Sequence, residues 1–401
     1  MTTATKRAAA LRGEVAVVGV ATIGFGTYPD KTALDLADEA VKVALDDAGL
    51  SRNDVDGLVV NHGSPRGMDY DATARLLALN IRFGAQSWNH GRFSSSVVQH
   101  AALAIHGGLA ETVVCLAASR NTQFDQHGKP GRPSYYEAVR DAGGPHAETP
   151  AVGLAAPIGG MAMSFQRYLH RYGGSPDKLG AVAVAFRRHA SLNERAIMRE
   201  PITMEDYLES RFIAEPLRLF DCSVVADGGV AIVVTSAERA KDLRSIPVYL
   251  LGMQGLSGGP NQFIFGQPGL GINQADTFDF KSTDFDLGVF DMAGVAPTDV
   301  DVLGVFDSFS PGALWALERF GFCGPGEALD FIQDGRIELG GELPVNTSGG
   351  HLSESLFGGW GQMVELVRQV RGKCGPRQVR DAKLAQYATA IGDSIIFGAD
   401  A

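Results

Sequence analysis

The 401-residue chain is 45% hydrophobic and 20% charged, contains 50 glycines and carries a formal net charge of −11. Such a chain holds two domains or one large duplicated one with ample core, which excludes a disordered or fibrous protein. Acidity without a basic cluster argues against nucleic acid as a partner, and no apolar run approaches the ~20 residues of a membrane span.

The N-terminal MTTATKRAAALRG is basic but lacks the apolar run of a secretory signal. Four cysteines, Cys115, Cys222, Cys323 and Cys374, lie far apart without metal-ligand spacing. They read as reduced thiols of a cytoplasmic protein, and no metal site is expected.

Residues 14–20 (EVAVVGV) carry a buried-strand pattern and 22–28 a glycine-interrupted loop. Apolar residues at helical spacing predict a helix over 32–48, with Asp35, Asp38 and Glu39 in its early turns and Gly49 at its end. Residues 55–61 (VDGLVVN) predict a second strand and 72–79 a short helix.

The chain is organised around residues 88–108 (WNHGRFSSSVVQHAALAIHGG). There a polar segment becomes an alanine-rich helix with almost no charge, and 111–118 then reads as a buried strand. A helix this apolar is packed on most sides. Its N-terminus points unpaired N–H groups and a positive dipole end at whatever lies in front, which suits a nucleophile or an oxygen that turns negative. No cysteine stands there. Ser94, Ser95 and Ser96 lie where loop meets helix, so one of them is a natural N-cap.

Residues 120–157 are rich in Gly, Pro, His and charge, the texture of a functional loop. Helices are predicted over 162–172 and 175–194, and 217–236 returns to the core as an apolar strand, with Asp227-Gly228-Gly229 as a turn before it. A second half then begins, with a strand at 248–255, a glycine-rich loop at 258–278, a helix at 280–294 and a strand at 300–306. DDAGLSRNDVDGLVV (46–60) aligns without a gap with DMAGVAPTDVDVLGV (291–305), which marks an internal duplication. The expected organisation is an N-terminal half over 1–246, with a loop insertion at about 120–216, and a C-terminal half over 247–401. A helix at 309–320, a glycine turn at 346–356, an amphipathic helix at 361–371 and a hairpin of 387–391 with 394–398 complete the chain. Strands alternating with helices, several continuously apolar, predict an α/β fold with its sheet covered on both faces.

Three stretches carry candidate chemistry. In NTSGGHLSES (346–355) the glycine pair Gly349-Gly350 lets the chain turn tightly before a helix. His351 then stands where a general base or an oxyanion-binding imidazole belongs, or merely caps the turn. Glu354 beside it completes a relay or starts the helix. In VFDSFS (305–310), Asp307 and Ser308 come directly after an apolar strand, and sites form at such carboxyl ends. Asp307 holds water, substrate or a histidine there, or N-caps the next helix. At the central helix, His90 and Arg92 face the loop and suit an anionic or acyl-CoA substrate. His100 and His106 read as core or interface histidines. The helix start at Ser94 needs only its N–H groups and one side chain to make an oxyanion site, and a serine near His351 is an alternative nucleophile.

The pattern resembles the thiolase superfamily, specifically the sterol-carrier-protein-type thiolases, often named lipid-transfer proteins or acetyl-CoA acetyltransferases. The matching residues include SSSVVQHAALAIHGGLAE, PITMEDYLESRFIAEPLRLFDCSVVADGG, FDSFS, ERFGFCGPGE and LPVNTSGGHLSES. The resemblance implies a five-layer α-β-α-β-α sandwich of duplicated halves, a homodimer, and acyl-CoA substrates, with coenzyme A as part of the substrate and no separate cofactor. Departures matter equally. The family's nucleophilic cysteine before the central helix falls on Gly91 or Arg92, its second cysteine has no counterpart in 388–393, and its Gly-His-Pro is Gly350-His351-Leu352 here. Cysteine-less relatives are similar to aldolases that cleave steroid β-hydroxyacyl-CoA side chains with a small zinc-ribbon/OB-fold partner. That reaction needs a base and an enolate-stabilising site but no nucleophile. Those aldolases carry tyrosines near the DSF motif and after the GGxLSE turn, where this chain has Phe306 and Ser355-Leu356.

The expected function is therefore retro-aldol cleavage of a bulky, steroid-like β-hydroxyacyl-CoA. His351, Asp307 and Ser94 are the catalytic candidates, and His90, Arg92, Ser308, Gly350 and Glu354 the substrate contacts. The alternatives are a non-catalytic subunit that binds acyl-CoA or an active partner, and an acyltransferase with another nucleophile.

Overall fold

The computed structural model describes residues 10–61, 69–87, 94–120, 122, 157–255 and 288–401. The strands are β1 (Val15–Gly26), β2 (Gly57–Val60), β3 (Phe83–Gln86), β4 (Thr112–Arg120), β5 (Phe212–Ala214), β6 (Leu217–Arg218), β7 (Asp227–Ser236), β8 (Val248–Gln254), β9 (Val302–Val305), β10 (Leu384–Ala388) and β11 (Ser394–Gly398). The first six helices are α1 (Ala33–Ala48), α2 (Tyr70–Leu76), α3 (Ser94–His106), α4 (Pro157–Tyr172), α5 (Gly180–Ser191) and α6 (Met204–Glu209). After them come α7 (Ala237–Ala240), α8 (Gly288–Ala293), α9 (Pro311–Arg319), α10 (Ala328–Phe331), α11 (Gly350–Ser353) and α12 (Trp360–Val370).

Nine of these strands form one mixed sheet in the order β3-β2-β4-β7-β1-β8-β11-β10-β9. The first five come from the N-terminal part of the chain and the last four from the C-terminal part. The two sets meet only through a short ladder in which Ala16 and Val17 pair with Tyr249 and Val248. Strict alternation sorts the side chains. Val15 and Val17, Val113 and Cys115, Ile232 and Val234 enter one cluster, while Ala16 and Val18, Val114 and Leu116, Ala231 and Val233 enter another. The first of these clusters contains α3 (Val97, Val98, Ala101) and α12 (Trp360, Met363, Val367). Helix α1 covers the outer face of β1, β4 and β7, and α8 that of β8 and β11. The result is a five-layer α-β-α-β-α sandwich with two central helices.

The duplicated segments fold alike. Helix α1 ends at Gly49 (φ 75°), and a 3-10 turn leads into β2; α8 ends before Gly294 (φ 69°), with a 3-10 turn and β9 after it. The aligned aspartates act identically. Asp56 accepts the Glu111 and Thr112 N–H groups at 2.9 and 2.8 Å, ahead of β4. Asp301 accepts those of Lys383 and Leu384, both at 2.8 Å, ahead of β10. Each strand so held runs parallel to the strand its aspartate precedes. Asp56→Ala and Asp301→Ala should each cost about 1–3 kcal/mol by urea denaturation, because each strands two N–H groups.

Some expectations are corrected. Residues 22–26 are not loop but the end of β1, paired with β7 out to Gly26 and Asp227. Asp227-Gly228-Gly229 is not a turn before the strand but its first rungs, opposite Arg120, Ser119 and Ala118. The Asp227 carboxylate accepts Tyr28 N–H at 3.0 Å and Thr122 N–H at 2.8 Å, which keeps three segments in register. The helix expected over 175–194 is a 3-10 turn that passes into α5. In the closing hairpin, β10 stops at Ala388 and 389–393 makes the turn. His100 and His106 are exposed rather than core residues. No helix among the described residues is long and apolar enough to cross a membrane.

Candidate active site

Asp307 comes just after β9 and is fully buried. It does not cap the helix next in sequence, since Ser310 holds that place in α9 without a side-chain bond. It caps a helix more than forty residues away instead. Its carboxylate accepts the His351 N–H at 2.9 Å and the Leu352 N–H at 3.3 Å, the opening donors of α11, and Gln362 Nε2 from α12 at 3.0 Å. Gly350 serves this cap: a Cβ there would stand 2.2 Å from Asp307 Oδ2. Burial pushes the Asp307 carboxyl up to about 7, against the pull of those donors.

His351 is fully buried, and its ring packs edge-on against Phe306 at 4.8 Å between centroids. Nε2 accepts the Gly359 N–H at 2.7 Å, so the ring proton belongs on Nδ1, which faces Asp307 Oδ1 at 3.4 Å without a formed hydrogen bond. Desolvation lowers the imidazole to about 3. His351 is thus a neutral, clamped ring whose basic nitrogen is already occupied. Both ring nitrogens face protein groups, Nε2 the Gly359 N–H and Nδ1 the Asp307 carboxylate.

Ser94 is the first residue of α3 and is fully buried. Its hydroxyl lies beside Tyr387 of β10, and both pack against Gly359. Ser95, next along α3, donates to Asp393, which also accepts Gln99 Nε2 at 3.1 Å. Burial lifts the Asp393 carboxyl to about 7. The head of the central helix and the strand residue Tyr387 therefore meet at Gly359, whose N–H holds His351.

The remaining candidates divide. Ser308 is half-buried, and its carbonyl accepts the Ser223 N–H at 3.2 Å. Both Glu354 oxygens are engaged by protein donors, Ser348 Oγ at 2.7 Å and Asn193 Nδ2 at 3.0 Å, which tie α11 to the end of α5. Burial raises Glu354 to about 7. His90 and Arg92 lie outside the described residues. Sequence reasoning missed Tyr387, Asp393, Gln99 and Gln362. The only signal near Asp393 was that 388–393 is where the family's second cysteine has no counterpart.

None of the four cysteines is primed as a nucleophile. Cys115, Cys222 and Cys374 direct sulfur toward the carbonyls of Val97, Arg218 and Glu365 at 3.6–3.7 Å. Burial raises all four thiols, Cys222 to about 12.

A thiolase C-terminal domain-like family model matches residues 288–395. The chain is 38% identical over 377 residues to 17-hydroxy-3-oxo-4-pregnene-20-carboxyl-CoA lyase of Mycobacterium tuberculosis, covering 90% of this chain and 92% of that one. It is 34% identical over 401 residues to a steroid side-chain-cleaving aldolase of Thermomonospora curvata, covering 97% and 99%. Among solved structures, an Ltp2-ChsH2(DUF35) aldolase superposes with a TM-score of 0.83 at 34% identity, over 97% of this chain and 99% of that one. The chain belongs to the thiolase superfamily. Within it, these relatives put the chain on the sterol-carrier-protein-type branch, beside the steroid side-chain-cleaving aldolases.

Proposed function

We propose that this protein cleaves a bulky, steroid-like β-hydroxyacyl-CoA by a retro-aldol reaction. The observation that carries the reading is a buried centre with carboxyls poised near neutrality and no activated thiol. A carboxylate near 7 is matched to taking a hydroxyl proton at physiological pH. The N–H groups at the head of α3 suit the thioester oxygen as it turns enolate. Asp307 holds the His351 imidazole and its turn in place. Coenzyme A enters as part of the substrate, and no further cofactor is invoked. The similar solved aldolase is named with a DUF35 chain, and a partner of that kind is proposed here too. A homodimer is proposed through α3, where His100, Leu103, His106 and Leu109 form an exposed, uncharged face, alongside β3 at the end of the sheet.

The test is incubation of the full chain, with and without its co-purified partner, with a β-hydroxyacyl-CoA. A ketone or aldehyde together with a shortened acyl-CoA is expected. Acyl-CoA binding without turnover under any condition would favour a non-catalytic subunit, and an acyl group found on serine would favour an acyltransferase. Blocking the thiols of the native protein with iodoacetamide should leave the cleavage rate within about twofold, because no sulfur is held as thiolate.

A further inference from the structure

Buried polar atoms without partners are uncommon and call for an explanation. Two of them meet at one point among the described residues: Ser94 Oγ and Tyr387 Oη, each on a side chain with no exposed surface. The point is marked by Gly359, whose N–H holds His351 Nε2. A Cβ on Gly359 would stand 1.9 Å from Tyr387 Oη and 3.0 Å from Ser94 Oγ. A glycine at φ 83° thus makes room for a phenol to press its hydroxyl against the main chain that clamps the imidazole.

We propose that the Tyr387 hydroxyl, acting through Ser94 at the head of α3, supplies the proton that quenches the enolate left by carbon–carbon cleavage. The inference rests on the retro-aldol reading of the same site. Two adjacent serines begin α3, each backed by a titratable group from the last hairpin: Ser94 by Tyr387, and Ser95 by Asp393. The proton balance closes over these four residues and water. The β-hydroxyl proton passes through Ser95 to the Asp393 carboxylate as the new carbonyl forms. The broken bond's electron pair becomes the enolate of the shortened thioester. Its α-carbon takes the Ser94 proton while Ser94 takes that of Tyr387. As the products leave, Asp393 gives its proton to water and the Tyr387 oxygen takes one from water. No net proton enters or leaves. Burial, opposed by Ser94, holds the phenol above its ordinary value. Tyr387 therefore keeps its proton until a far stronger base, the enolate carbon, is present. Tyr387 is a positioning and relay residue, and Ser94 is the group that meets the substrate.

The proposal is tested by α-hydrogen exchange, which needs the enolate and its acid but no cleavage. The full chain with its co-purified partner is incubated with propionyl-CoA in D2O, and deuterium uptake is read by mass spectrometry. Wild type should exchange. Tyr387→Phe should slow exchange at least tenfold at unchanged KM, Ser94→Ala should match it, and the double variant should be no slower than either. Replacing Tyr387 with 3-fluorotyrosine keeps ring and hydroxyl but strengthens the acid, so a relay changes the rate where a packing role does not. Wild-type exchange rates in Tyr387→Phe, or in Ser94→Ala, would overturn the relay alone. Absence of exchange and of cleavage in wild type would overturn the retro-aldol reading and the relay together.

Discussion

Gly359→Ala is expected to lower kcat by at least about 100-fold and to destabilise the fold by about 3 kcal/mol. Two physical effects combine. Gly359 sits at φ 83°, where an L side chain carries about 1–3 kcal/mol of backbone strain. The new methyl would lie 1.9 Å from Tyr387 Oη, and an overpacked core position costs about 1–3 kcal/mol more. Relief requires the 357–360 segment to move, and that segment presents the N–H that orients His351 at 2.7 Å. Displacing a catalytic group by about 1 Å is enough for a 100-fold loss. The partner variant identifies the cause. Adding Tyr387→Phe removes the nearer of the two phenol atoms the methyl strikes and leaves ring Cζ at 2.5 Å, so the double variant should regain only part of the loss, about 1 kcal/mol over Gly359→Ala in urea denaturation. Its activity should stay low, because strain persists and the relay hydroxyl is gone. Strictly additive stabilities would show that the phenol is not what the methyl meets.

The frame of the molecule was legible because local rules and tertiary packing agree there. Helix α1 carries its apolar spacing, its Thr32 capping box and its Gly49 end in one continuous stretch. The repeat at 46–60 and 291–305 is visible as letters because both copies need the same aspartate, glycine and apolar positions to build the same turn. His351, Asp307 and Ser94 were also legible, since each marks the end of an element. What they do was not. Asp307 reads as a cap for the next helix in sequence, yet it caps one contributed by residues 350–353. His351 reads as a base, an oxyanion contact or a turn cap, and the sequence does not show that its Nε2 lone pair is taken by a backbone N–H eight residues on. Partners of this kind depend on chain crossings that periodicity does not encode. Tyr387 was overlooked for a related reason: in an apolar strand it looks like core, and its ring is indeed part of the central cluster. Only the close approach of Gly359 shows that its hydroxyl has a neighbour of consequence. Small elements failed too. Strand β3 and the β5–β6 ladder are short and weakly patterned, and pairing with neighbours makes them strands.

Stability should fall as pH rises from about 4.5 to 8. Asp307 and Asp393 rise from 3.8 to about 7 on folding, and Glu354 from 4.5 to about 7, each chiefly by desolvation. Between those limits the folded chain holds more protons than the unfolded one, so the carboxyls subtract stability as pH rises through the window. His351 and His189 fall from 6.5 to about 3 and about 4, also by desolvation. Below pH 6.5 the unfolded chain binds more protons at these two positions, so they add stability as pH rises. Three carboxyls outweigh two imidazoles by one proton up to about pH 6.5, a loss of about 1.4 kcal/mol per pH unit, and above it only the carboxyls still titrate. Asp393→Asn removes one of them. Relative to wild type, it should gain about 2 kcal/mol between pH 5 and pH 8 in urea denaturation, at about 1.4 kcal/mol per pH unit of differential protonation. A constant difference across that range would show that Asp393 does not titrate near neutrality in the fold. The same variant should lose cleavage at every pH, since an amide accepts no proton. Ionisation of Asp393 thus weakens the fold over the same pH range in which it readies the base, which is the usual cost of holding a charge where chemistry needs it.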